Sequence, residues 1–236
     1  MQFNILILRY KEKLMSIKVL YFIILYLILK IILIIFFIKP YDYNTWSLVG
    51  IWEGFANLNP EFVEKGSLVF KKGGYDGQFF YFITKYLLSE NIPLPVLDSF
   101  YLRFQRIGMS LSILPLVKLF GIQFYPFLLM TLLSCFHIIS FIALRALCDI
   151  DKKIFALFYL FSPFSLNSDL LLVADSFVTS LSLISLYFIN SLTSKNILRA
   201  KFMALVSIAS FTLSIFVKES ALFLIVALIL YFFYFL

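Results

Sequence analysis

Residues 19–38 form an apolar run in which Lys30 is the only charge. At helical rise such a run is about 30 Å long, the thickness of a bilayer's hydrocarbon core. Further apolar segments follow at about 123–144, 154–167, 171–190, 202–217 and 220–236. Hydrophobic residues make up 62% of the chain and charged residues 14%, against roughly 25% charged in soluble domains. Only lipid can act as solvent for so much apolar surface. The expected fold is therefore all-α: a polytopic transmembrane helical bundle of about six spans.

A basic stretch (Arg9, Lys11, Lys13, Lys18) precedes the first run. The run is too long for a signal-peptide core, and no small-residue cleavage site follows it. The expected organisation is a cytoplasmic basic tail at 1–18 and a first span at 19–38. An outer-face loop with juxtamembrane helices then fills 39–122, and a bundle of about five spans fills 123–236. Residues 106–121 are ambiguous, and the positive-inside rule decides. As a surface helix, 106–121 leaves Arg145, Lys152 and Lys153 in one cytoplasmic loop and Lys195, Arg199 and Lys201 in another. As a span it would move both loops outside. In 76–89, Phe79, Phe80, Ile83 and Leu87 share a face, the pattern of a helix lying in the membrane interface. The net charge of +7 is scattered between apolar runs rather than gathered on a polar domain, so no nucleic-acid partner is expected.

Cysteine and histidine exclude several chemistries. Cys135 and Cys148, on one helix, would lie about 20 Å apart, too far for a disulfide. His137 is the only histidine and lies in an apolar run, so a zinc site and Ser-His-Asp or Cys-His catalysis are not expected. It reads as a helix-packing residue.

The six-span topology gathers the unusual polar residues on the outer face: Asp76, Asp98, Arg103, Arg106, Asp169, Asp175, Lys218 and Glu219. Asp76, in Gly73-Gly74-Tyr75-Asp76-Gly77-Gln78, reads as the N-cap of a helix over 77–89. It reads equally as a catalytic carboxylate, either a general base or a ligand for Mg or Mn. Arg103 and Arg106, spaced i,i+3, share a helix face; they suit a phosphate or, more simply, lipid headgroups. Asp175 lies a turn inside the fourth span, where a carboxylate is costly; Ser168 and Lys30 are candidate partners. Lys218 suits a phosphate or a snorkelling helix end. Glu219 suits the positive N-terminus of the sixth span.

At these residues the chain resembles the GT-C superfamily of membrane glycosyltransferases, which includes protein O-mannosyltransferases and lipid A aminoarabinose transferases. The resemblance rests on Tyr75-Asp76-Gly77-Gln78-Phe79-Phe80-Tyr81, on 98–121 with Arg103-Phe104-Gln105-Arg106, and on the turn from Arg145 to Lys153. Leu160-Phe161-Ser162-Pro163, Asp175 and Val217-Lys218-Glu219-Ser220 complete it. It covers most of the chain from about residue 19. It implies transfer of a sugar from a polyprenyl-phosphate donor to a hydroxyl on a glycan, lipid or protein, in the bacterial inner membrane with the N-terminus cytoplasmic. It also implies roles. Asp76 and Asp175 are catalytic, with Asp76 the candidate metal ligand. Arg103, Arg106 and Lys218 bind the donor phosphate, and Tyr75, Gln78 and Glu219 support them. Asp76-Gly77 departs from the Asp-Glu pair of several relatives. Those relatives also have more spans, so an N-terminal portion of a longer enzyme is expected. The rival expectations are a transporter or flippase and a non-catalytic membrane scaffold.

Overall fold

The computed structural model describes residues 2–89, 91–149, 153–192, 197–223 and 226, with side chains described from Val19 onward. Two compact units divide the chain at residue 43.

The first unit is essentially one helix, α1 (Gln2–Ile38). It contains neither Gly nor Pro, and Pro40 ends it in a 3-10 turn, since proline disfavours helix in the residue before it. Lys30, one helical turn from Tyr26, places its ammonium 5.9 Å from that ring. The charges of the expected basic tail lie outside the described side chains.

The second unit carries short elements first: β1 (Ile51–Trp52), α2 (Glu53–Leu58), β2 (Val69–Phe70), α3 (Gly77–Leu88), α4 (Phe100–Gln105) and α5 (Gly108–Phe120). β1 and β2 pair in parallel, Ile51 opposite Val69. The bundle follows: α6 (Tyr125–Leu147), α7 (Phe155–Leu160), α8 (Pro163–Leu170), α9 (Asp175–Asn190) and α10 (Ile197–Val217). Among the described residues three helical segments are long and apolar enough to cross a membrane: Val19–Tyr41, Ile122–Leu147 and Ile197–Val217. The expected span at 154–167 is divided into α7 and α8 at Ser162–Pro163, where proline starts the second helix at its first position. The expected span at 171–190 is the shorter α9, and most of 220–236 lies outside the described residues.

Side-chain pairs give the helix directions. Phe136 meets Phe177 and Ser140 meets Ser180, so α6 and α9 run parallel. Ser185 meets Ser207 while Asp175 meets Lys218, so α10 runs antiparallel to α9. His137 Nε2 lies 3.2 Å from the Leu160 carbonyl and Ser140 Oγ 2.6 Å from the Tyr159 hydroxyl, so α7 returns antiparallel to α6. His137 is fully buried and stacks on Tyr159, the packing role its apolar surroundings imply. Small hydroxyl residues let these helices approach and hydrogen-bond where water is absent.

The segment before α6 caps one end of this bundle. Tyr81 of α3 packs edge-on against Tyr125 at the start of α6, ring centroids 5.1 Å apart. Two glycines allow backbone-to-backbone seating. A methyl at Gly77 would stand 2.9 Å from the Leu171 carbonyl oxygen, and one at Gly108 would stand 2.7 Å from the Phe216 carbonyl carbon. This seating corrects one expectation. Gly77 through Thr84 are all buried, so α3 is a core helix of the cap rather than a helix floating in the interface. Lys85, the charge on its far side, is held by Glu64 at 2.5 Å. α5 is only about 20 Å long at helical rise and packs on α3 and α10.

Candidate functional site

Four chain segments meet at the capped end of the bundle: the start of α3, the α4–α5 corner, the start of α9 and the end of α10. Asp76 sits just before α3, but its side chain caps no backbone N–H. It turns instead to Arg103 of α4, whose Nη1 lies 3.1 Å from Asp76 Oδ2. The loop ahead of it is fixed locally. The Tyr75 N–H donates to the Gly50 carbonyl at 3.1 Å, and the Tyr75 ring occupies the space that a Cβ on Gly50 would need. Gln78 is buried, and its Oε1 accepts the Trp52 N–H at 3.0 Å. Tyr75 and Gln78 thus anchor the Asp76 turn to β1 and the glycine ahead of it.

Arg103 is the most constrained side chain in the group. Its Nε and Nη2 donate to the two Asp98 oxygens at 2.9 and 2.8 Å, and its guanidinium lies 3.9 Å from the Phe79 ring centroid. Asp98 also accepts its neighbour's N–H, from Ser99, at 2.8 Å. The hydrogen bonds from Arg103 hold the Asp98 carboxyl below the usual carboxylate range, and Asp98 in turn raises the guanidinium.

Arg106 follows at the α4–α5 corner and makes a second fork. Its Nε and Nη2 donate to Glu219 at 2.8 and 2.5 Å. Arg106 holds the Glu219 carboxyl below its usual range. The neighbouring Lys218 bonds Asp175 at the start of α9. Asp175 therefore has Lys218 as its partner, where Ser168 or Lys30 had been candidates. The Ser168 hydroxyl oxygen instead accepts the Ser176 N–H at 3.0 Å. Arg103 and Arg106 likewise meet carboxylates of this chain.

All six charged residues given a role at the site, together with Asp98, thus lie in one row: Asp76 and Asp98 on Arg103, then Arg106 on Glu219, then Lys218 on Asp175. The sequence pointed to the cations and three of the acids. It gave Asp98 no role and missed Phe79 beneath Arg103; the signal for Asp98 was an acid immediately ahead of a short arginine-bearing helix. Asp169, also expected among these residues, is fully buried and accepts the Ser176 hydroxyl hydrogen, beside the turn where Leu172 adopts φ 49°.

The row holds fixed cations and carboxylates able to accept a proton, the groups that phosphate binding and general base chemistry need. Asp76, the expected Mg or Mn ligand, faces a guanidinium, and no three His, Cys, Asp or Glu side chains gather as metal ligands among the described residues. Compared with protein-family models, with curated proteins and with solved structures, the chain matches none.

Proposed function

We propose that the chain is a membrane glycosyltransferase of GT-C type that moves a sugar from a polyprenyl-phosphate donor to a hydroxyl acceptor. One observation carries the reading. Arg103, Arg106, Lys218, Asp76 and Asp175 come from four separate segments, and they meet in one row at one end of the bundle. In this reading the chain crosses a bacterial inner membrane about six times, through α1, α6, α7–α8, α9, α10 and residues 220–236. Its N-terminus is cytoplasmic and the row lies at the outer face.

The chemistry follows from the groups present. Asp76 Oδ1, the oxygen not directed at Arg103, accepts the proton of the acceptor hydroxyl as that oxygen bonds to the anomeric carbon of the sugar. The bond from that carbon to the donor phosphate oxygen breaks, and the phosphate keeps the electron pair. Arg106 and Lys218 receive the developing negative charge, which fixed cations stabilise without reorganising. Arg103, gripped by Asp98 and Phe79, orients Asp76. Asp175 positions Lys218. The acceptor is a glycan, lipid or protein hydroxyl.

A second reading, a non-catalytic membrane scaffold, is favoured by one feature. Every cation in the row already carries a carboxylate, as a latch between helices would. Sugar transfer by the purified chain, with Asp76→Asn beside it, separates the two. Loss of transfer in a folded variant supports the enzyme, and absence of both transfer and donor binding supports the scaffold.

A further inference from the structure

The row is layered. The arginine side chains lie inside, Arg103 11% and Arg106 15% exposed, while Asp76 and Glu219 cover them at 48% and 52%. Three cations and four carboxylates leave the row formally one negative charge in excess. An incoming phosphate therefore meets carboxylates first and can bind only where one of them gives way. We infer that Glu219 is that carboxylate, an internal anion occupying the phosphate position on the Arg106 fork. The inference rests on the proposal that this row binds phosphate, and it adds how the site is regulated.

The four carboxylates differ in how firmly they are held. Asp98 is fixed by both oxygens on Arg103 and by the Ser99 N–H. Asp76 is fixed by a turn anchored through Tyr75 and Gln78. Asp175 is part of the first turn of α9 and is held there by Lys218. Glu219 belongs to a three-residue 3-10 turn after α10 and has one more methylene than an aspartate. It can swing clear without moving the backbone. What it would uncover is an arginine fork already aimed outward, with Nε and Nη2 spaced for two oxygens of one carboxylate or one phosphate. The main chain of Arg106 is held at the corner, where its N–H donates to the Arg103 carbonyl at 3.2 Å. Lys218, next along the chain, then lies beside the vacated position.

The test titrates the detergent-purified chain with inorganic phosphate and with octyl phosphate. Wild type binds weakly. In Glu219→Gln the competing charge is gone, and octyl phosphate binds about tenfold more tightly, because charge-assisted bonds are roughly twice as strong as neutral ones. Adding Arg106→Gln removes the gain. A gain for octyl phosphate alone assigns a lipid-borne phosphate; an equal gain for inorganic phosphate assigns the phosphate group whatever carries it. Unchanged or weaker binding in folded Glu219→Gln overturns the inference. If that variant does not fold, Glu219→Asp shortens the competitor and must still tighten binding, by a smaller factor. The titration needs no sugar transfer. A gain in a protein that transfers no sugar would keep this inference and overturn the transferase reading, whereas transfer with no gain would do the reverse.

Discussion

Arg103 and Asp98 share two parallel hydrogen bonds of 2.9 and 2.8 Å, and the guanidinium that makes them rests on the face of Phe79. The pairing leaves Nη1 as the edge turned toward Asp76. Lysine keeps the charge but has neither the planar fork nor the stacking face. Arg103→Lys should therefore lower sugar transfer tenfold or more, on the order of the 1.5–3 kcal/mol lost with a charged hydrogen bond. Unchanged transfer would show that Asp76 does not depend on Arg103.

The acid pairs set a pH dependence. Arg103 holds Asp98 below its ordinary 3.8, and Arg106 holds Glu219 below its ordinary 4.5. Carboxyls lowered in the folded state add stability that is fully present above those ordinary values. It is lost as pH falls through the lowered ones. Both side chains are about half exposed, so each pair is worth at most about 1 kcal/mol. Melting in detergent should fall more steeply below about pH 4 for wild type than for the Asp98→Asn, Glu219→Gln double variant. Parallel curves would contradict the pairing.

Gly108 seats α5 against the end of α10. A methyl there would stand 2.7 Å from the Phe216 carbonyl carbon and 2.8 Å from the Val217 nitrogen. These are backbone atoms and cannot rotate aside. Gly108→Ala should cost about 1–3 kcal/mol, the usual toll of overpacking, and should also loosen the Arg106–Glu219 pair beside it. Thermal unfolding and the octyl phosphate titration read the two effects, and an unshifted melting curve would place the helices farther apart.

Cys148 follows the end of α6, and the row lies at that helix's other end, about 35 Å away at helical rise. The six-span reading puts Cys148 in the cytoplasm. With Cys135 changed to Ser, intact cells should not react with a membrane-impermeant thiol reagent, while opened cells should. Ready labelling of intact cells would sink the six-span topology.

Much of this architecture was legible from apolar runs. The runs at 19–38, 123–144 and 202–217 correspond to α1, α6 and α10, because length and hydropathy are enough to specify a spanning helix. Pro163 stands at the break between α7 and α8, where its fixed φ starts a helix and cannot continue one. The buried setting of α3 was not legible. An amphipathic aromatic helix has one periodicity whether it lies against lipid or beneath a loop cap, and only tertiary packing separates the two. The charged residues of the row stood out because charge is rare in so apolar a chain. Their partners did not, since Arg106 and Glu219 are 113 positions apart and Lys218 and Asp175 are 43 apart. Asp76 holds the position of a helix cap and uses its side chain elsewhere, a choice set by Arg103 and not by local sequence.

The central claim is that Asp76 works as the base of a sugar transfer. The direct measurement is turnover of radiolabelled polyprenyl-phosphate sugars by the detergent-purified chain, wild type beside Asp76→Asn. The account predicts transfer by wild type, a loss of about a hundredfold or more in Asp76→Asn, and unchanged melting and donor binding in the variant. Equal transfer by both proteins would contradict the role of Asp76. No transfer from any donor in the panel, with no saturable donor binding, would contradict the enzyme itself.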